Sequence, residues 1–289
     1  PIAGYKVIAK NLPSQNCLPD SLTKRYTEAA IDFITRQKEK PFFTYLAYNQ
    51  PHLGLHVDAA YRGKSRRGLL GDVMAEIDDS IARILATLDT NGLRENTLVI
   101  FSSDNGPWIR FQNSANDPSY GEARMHIGYA QPFRDGKGSN WEGGHRVPGI
   151  FYWPGVITAK RQLEPASTLD VLPTILALCG AKSENRIDGR DIRPLLMPER
   201  FPHAIVPPFS LLYSGAVNEA NAYREGPWKL HVRLISQTGD QYGFQASVEK
   251  PLLFQVEQDL GERFDRASEQ PELVKAMLLR MQALEKSLR

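Results

Sequence analysis

The 289-residue sequence predicts an α/β fold around a mostly parallel sheet, followed by a smaller α+β domain. Two apolar segments, PFFTYLAY (41–48) and NTLVIFSS (96–103), each follow a helical stripe, and each stops in a cluster of turn formers. Strand, loop, helix, strand, loop is the rhythm of parallel strands joined by helical crossovers. The texture changes beyond residue 205, which sets a small domain at 206–289 apart from a larger one at 1–205.

The first helix is expected in LTKRYTEAAIDFITRQKEK, where Leu22, Tyr26, Ala29, Ala30, Phe33 and Ile34 form one stripe and Pro41 ends it. PFFTYLAY then reads as a buried strand, rich in aromatic residues and closed by Pro51 and Gly54. In LLGDVMAEIDDSIARILATLDTNG, Val73, Ile77, Ile81, Ile84 or Leu85, and Leu88 share a helical side, with Gly92 as the stop. NTLVIFSS is the second strand and GIFYWPG (149–155) the third. Asp170 is expected to cap a helix in STLDVLPTILALCG, with Pro173 harmless in the first turn, Cys179 buried and Gly180 at the end. In the small domain, GPWKLHVRLIS and PLLFQV are strands and QPELVKAMLLRMQALEKSLR is a helix.

Composition narrows the function. Lys plus Arg is 35 and Asp plus Glu is 33, a formal charge of +2, which argues for neither a nucleic-acid nor a membrane surface. No apolar run approaches the roughly 18 residues of a membrane span. Two cysteines, Cys17 and Cys179, exclude a disulfide framework and a multi-cysteine zinc site.

Chemistry concentrates in three loops at the carboxyl ends of strands, where ligands bind in open α/β sheets. Asp104-Asn105 supplies two oxygen ligands for Ca²⁺ or Mg²⁺, or else an Asx-turn that closes the strand. His52, with His56 four residues on, is an acid or anion donor near neutral pH, or a surface histidine. In FRDGKGSNWEGGHRVPG, glycines flank Lys137, so its ammonium is a candidate anion group or a solvated loop charge. Neither G-x-x-x-x-G-K-[ST] nor G-x-S-x-G occurs, and no nucleophile is evident.

The strings KPFFTYLAYNQPHLGLHV, RRGLLGDVMAEIDDSIARILATLDTNGLRENTLVIFSSDNGPW, DGKGSNWEGGHRVPGIFYWPG, LDVLPTILALCGA and IDGRDIRPLL, in this order, closely resemble the sulfatase family, arylsulfatase A and its relatives in particular. YREGPWKLHV and PLLFQVEQDLGER are similar to that family's C-terminal domain. The resemblance implies an alkaline-phosphatase-like α/β sandwich and a sulfuric ester hydrolase that uses a formylglycine beside Ca²⁺, with Mg²⁺ as an alternative. It implies Asp104 and Asn105 as metal ligands, and His52 and Lys137 as catalytic and sulfate-binding groups. It also implies His231 near the substrate, a sulfated small molecule or glycan, and a periplasmic or secreted location.

The family's amino-terminal half, with its paired aspartates and its C-x-P-S-R motif, has no counterpart in these strings. Cys17-Leu18-Pro19-Asp20-Ser21 repeats C-x-P, but Asp20 and Ser21 stand where the motif has serine and arginine, and it reads as coincidence. The expectation is therefore the downstream part of a sulfatase, with the formylglycine segment upstream or on a separate chain. A phosphomonoesterase or phosphodiesterase of the same superfamily, or a non-catalytic binding subunit, are the alternatives.

Overall fold

The computed structural model describes residues 19–109, 127–214, 219–240 and 243–288, so Cys17 lies outside the described residues. The chain divides into two compact units, one holding the described residues through Thr97 together with Ile127, the other Leu98–Ile109 and everything from Gly128 on. Residues 128–205 thus share a unit with 206–288.

The first unit is built on helices α1 (Leu22–Gln37) and α2 (Gly68–Thr90). Thr23, Thr27, Ala30 and Ile34 are the buried side of α1. That stripe is rotated by about one residue from the expected one, leaving Leu22, Tyr26 and Phe33 half-buried and Ala29 exposed. The reason is polar. Thr27 donates to the Thr23 carbonyl at 2.7 Å and shares a 2.8 Å hydrogen bond with the Tyr48 hydroxyl, so a threonine can be buried with its oxygen satisfied.

Helix α2 buries Val73, Ile77 and Leu88 as expected, and Asp72, Glu76 and Ser80 beside them. Asp72 accepts backbone N–H groups of Gly63, Lys64 and Ser65 at 2.7–3.1 Å, and Glu76 accepts that of Asp58 at 3.1 Å. Buried carboxylates on the helix thereby organise the loop before it. Gly92, at φ 67°, ends α2, with its N–H bonded to Asp89 and that of Leu93 to Leu88. This is a Schellman stop, which needs a left-handed residue and so favours glycine.

PFFTYLAY does not form a strand. Residues 41–49 have no regular structure, and Phe43 and Tyr45 are 66% and 80% exposed. An apolar run becomes a strand only where a neighbouring strand takes its hydrogen bonds, and none does so among the described residues.

In the second unit β1 (Val99–Ser102) pairs with β2 (Gly149–Tyr152) in an antiparallel ribbon, Phe101 opposite Ile150. The parallel pairing expected from the strand–helix rhythm is not found among the described strands. Just beyond the ribbon Gly106 donates to Gly144 at 2.9 Å, so the segments flanking β1 and β2 are joined as well.

Helix α3 (Glu142–His145) precedes β2, and α4 (Val171–Leu178) follows it. Asp170 stands at the N-cap of α4 as expected, but its side chain caps no N–H of α4; it forms a capping box with Ser167 on the preceding turn. Ser167 accepts the Leu169 N–H, while Asp170 accepts the Ser167 N–H at 3.0 Å and a 2.8 Å ion pair from Arg190. Gly180, at φ 66°, ends α4 as expected, but Cys179 is exposed, because it sits on the solvent side of the last turn. A short helix α5 (Arg193–Leu196) closes this part.

A meander of four antiparallel strands completes the unit: β3 (Ser210–Ser214), β4 (Ala220–Glu225), β5 (Trp228–Asp240) and β6 (Gly243–Gln255). Strands β3 and β4 were not expected, and β5 runs past its expected end at 236. Tyr223, Leu230 and Leu253 lie on one face and pack on Met277 and Met281 of helix α6 (Pro271–Ser287). Arg224, Lys229, His231 and Phe254 alternate onto the other face, which is buried too.

Candidate functional site

Asp104 and Asn105 follow the carboxyl end of β1, Asp104 exposed and Asn105 half-buried. The Ser103 hydroxyl donates to the Asn105 carbonyl at 3.1 Å and closes the turn. Gly106 is required here, since a Cβ would stand 1.8 Å from the Gly143 carbonyl oxygen.

The Gly136-Lys137-Gly138 turn is fastened to the same loop. The Lys137 N–H donates to the Pro107 carbonyl at 2.8 Å, and a Cβ on Gly136 would stand 2.4 Å from that oxygen. Gly138 sits at φ 80°, so the turn itself demands glycine. Asp135, at φ 59°, accepts the Gly136 N–H and the Ser236 hydroxyl. Among the residues expected in a site, Asp104, Asn105 and Lys137 are thus brought together through their backbones.

His52 belongs to the first unit. It is exposed, its Nδ1 contacts the Leu53 carbonyl, and it borders an open recess of about 310 Å³ with Asn49, Gln50, Gly54 and His56. Two residues not singled out from sequence shape the recess. Buried Gln50 donates to the Gly54 carbonyl at 3.2 Å and accepts the His56 N–H at 3.3 Å. Asp20 holds His56 Nδ1 at 2.9 Å and Arg62 at 2.8 Å.

His231, expected near a substrate, lies on the buried polar face of the sheet. It has no exposed surface, stacks near Trp141 with ring centres 4.6 Å apart, and binds Glu262 at 2.9 Å through Nε2. Its side chain is packed in the core of the second unit. Burial holds its pKa below the usual imidazole range, so Nε2–H is the donor to the carboxylate and Nδ1 has no hydrogen-bond partner among the described residues.

Around it lies a buried ionic cluster that the sequence alone did not reveal. Lys229 Nζ is 3.0 Å from Glu142 and 3.3 Å from Glu262, and Arg224 is 3.0 Å from Glu142. Glu262 further accepts the Glu142 N–H at 2.6 Å. Lys229 and Arg224 thus face two carboxylates with almost no solvent, and Arg146, partly exposed, stands 3.6 Å from Glu142. Burial alone would lower the Lys229 pKa, but the two carboxylates outweigh it and the ammonium titrates above the ordinary lysine range. Burial alone would raise Glu262, but Lys229 and His231 hold it down to about 2. The sequence disguised it: Lys229, His231 and Arg233 alternate with apolar residues in WKLHVRL, the pattern of a strand with one wet face.

Asp104 and Asn105 offer one carboxylate and one amide oxygen, a donor set that suits part of the shell of Ca²⁺ or Mg²⁺ and suits soft metals poorly. Among the described residues no group of three or more His, Cys, Asp or Glu is gathered for a metal. No helix among them is long and apolar enough to cross a membrane.

Comparison with known proteins gives this geometry a context. Human steryl-sulfatase is 35% identical over 262 residues, covering 84% of this chain and 44% of its own. Bovine arylsulfatase A is 32% identical over 278 residues, covering 91% of this chain and 52% of its own. The chain therefore spans about half the length of these relatives. The PsFucS1 sulfatase from Pseudoalteromonas sp. superposes with a TM-score of 0.76 at 26% identity, over 92% of this chain and 52% of that one. A Bacteroides thetaiotaomicron sulfatase structure from work on glycosaminoglycan metabolism shares the fold with a TM-score of 0.77 at 24% identity, over 93% and 55%. Residues 4–181 match the family model Sulfatase. On that match, which takes in Asp104, Asn105, His52 and the Gly-Lys-Gly turn, the chain belongs to the sulfatase family.

Proposed function

We propose that this chain is the downstream part of a sulfuric ester hydrolase, residues 1–205 from its catalytic domain and 206–289 its small C-terminal domain. The observation that carries the reading is the backbone bond from Lys137 to Pro107, which ties an anion-binding ammonium to the loop of Asp104 and Asn105. Within the alkaline-phosphatase-like fold, Lys137 binds the sulfate oxygens. Asp104 and Asn105 hold part of the shell of a Ca²⁺ ion, with Mg²⁺ as the alternative. When bound, that ion polarises the sulfate and stabilises charge on its oxygens. The attacking oxygen of the family comes from a formylglycine, whose C-x-P-S-R motif these 289 residues do not contain. On this reading it is supplied by the family's amino-terminal half, on the same polypeptide or a separate one.

Hydrolysis breaks the S–O ester bond and leaves its electron pair on the alcohol oxygen. His52 supplies the proton that oxygen takes up, as a general acid near neutral pH. The substrate is a sulfated small molecule or glycan. The relatives include steryl-sulfatase and N-acetylgalactosamine-6-sulfatase, and the Ps i-CgsB structure, 28% identical, holds a neocarrahexaose. A periplasmic or secreted location accompanies this reading.

The test is turnover of 4-nitrophenyl sulfate against 4-nitrophenyl phosphate by the full-length gene product, with formylglycine confirmed by mass spectrometry and Ca²⁺ added. Sulfate hydrolysis that is lost in His52→Ala and weakened in Lys137→Ala is expected. Preference for the phosphate, or inactivity with formylglycine present, would sink the reading.

A further inference from the structure

The buried cluster of Glu142, Lys229 and Glu262 lies outside the chemistry just described, yet it grips the segment that carries Lys137. Glu142 stands five residues after Lys137, and its carboxylate is held by Lys229 of β5 at 3.0 Å and Arg224 of β4 at 3.0 Å. Its N–H is held by Glu262 at 2.6 Å. Arg134, three residues before Lys137, donates to the Glu262 carbonyl at 2.9 Å and lies 3.7 Å over the Trp141 ring. The two ends of the segment are joined as well, Gly143 donating to the Arg134 carbonyl at 2.8 Å.

Between these anchors Asn140 bridges β5, donating to the Arg233 carbonyl at 2.6 Å and accepting the Ile235 N–H at 2.9 Å. Glu262 itself adopts φ 48°, a left-handed conformation that disfavours a residue with a side chain. A buried glutamate in that conformation persists only where its surroundings fix it, and here Lys229, His231 and the Glu142 N–H all converge on its carboxylate.

We propose that Glu142, Lys229 and Glu262 are positioning residues for Lys137: the ionic cluster clamps both ends of residues 134–143 onto the polar face of the C-terminal sheet and so fixes the Gly-Lys-Gly turn against Pro107. The inference rests on the sulfatase reading for what Lys137 binds, but the clamp is a property of the fold. Lysine is a flexible four-carbon stem, so its value as an anion ligand depends on how firmly its backbone is held. The C-terminal sheet would in this way set affinity for the sulfate.

The experiment is a double-mutant cycle in the full-length protein. Lys229→Met with Glu142→Gln removes one cation and one anion together, so the net charge of the cluster is unchanged, while Glu262 keeps its bond from His231 and Arg224 its contact with Glu257. The pair is expected to raise KM for 4-nitrophenyl sulfate about tenfold, the loss of one well-placed charged contact, with a smaller change in kcat. In a Lys137→Ala background the same pair should add less than about twofold, because residues acting through one another are non-additive. Additive losses would overturn the proposal.

Hydrogen exchange at the Lys137 amide, bonded to Pro107, provides a readout independent of activity. Exchange at Lys137 that rises more than at the core amides of β4 and α6 supports the clamp, whatever the change in melting temperature, and a rise no larger than at those amides overturns it. If the wild-type protein turns over no sulfate ester, the functional reading fails while the exchange result still decides the clamp. Glu142→Asp guards against misfolding of the paired variant, since it keeps the charge and shortens the clamp by one methylene. Wild-type KM and wild-type exchange in Glu142→Asp would also reject the proposal.

Discussion

At the scale of single residues, burial separates groups that hold the fold from groups left accessible to solvent. Lys137, His52 and Asp104 keep exposed or half-exposed surface, whereas Lys229, Glu262 and His231 have none. A buried charge must be matched, and removing one partner strands the other. Glu262→Gln leaves Lys229 with a single carboxylate, and a loss of about 3–5 kcal/mol in chemical denaturation is expected. The same residue sets an acid limit. Its folded pKa of about 2 lies below the unfolded glutamate value, so its stabilisation is present above that unfolded value and is lost as pH falls towards 2. Denaturation midpoints measured from pH 7 down to pH 2.5 should decline in the wild type, and the decline should be shallower in Glu262→Gln.

Elements show where propensity yields to packing. Gly71 lies inside α2, where alanine would ordinarily add about 1 kcal/mol of helix stability. Here a Cβ would stand 2.0 Å from Ser65 Oγ and 2.7 Å from the Arg67 Cβ. Gly71→Ala is therefore expected to lower the melting temperature, and a rise would show that the loop over α2 yields freely. Near α4 two polar groups divide the work unequally. Ser167→Ala removes one cap and should cost about 1 kcal/mol. Asp170→Ala strips the partner from Arg190 and frees the Ser167 N–H, and should cost about 3 kcal/mol or more by denaturant titration.

For the whole molecule, the exposed apolar side chains matter most. Phe101 and Ile150, opposite each other in the β1–β2 ribbon, are 37% and 54% exposed, and Phe43 and Tyr45 of the first unit more so. Adjacent apolar side chains on an open ribbon are an association surface. The 289-residue chain by itself is expected to self-associate in sedimentation velocity, and Ile150→Thr with Phe101→Thr to reduce that. A monodisperse wild-type monomer would show that these side chains are too scattered to drive association.

The sequence by itself determined the helices α1, α2, α4 and α6 and the glycine stops of α2 and α4, because a 3.6-residue stripe and a left-handed terminus are local properties. It also determined which loops carry Asp104, His52 and Lys137, since polar clusters after apolar runs can be read directly. Tertiary structure decided the rest. Whether PFFTYLAY pairs, and whether β1 and β2 run parallel or antiparallel, depends on which segment comes alongside, and an apolar run carries no record of its neighbour. The ionic cluster is the sharpest case. Glu142, Lys229 and Glu262 are 87 and 33 residues apart along the chain, and any one of them read singly is a surface charge. Only the sheet's pleat and the left-handed turn at Glu262 bring them together, where loss of solvent makes each the necessary partner of the others.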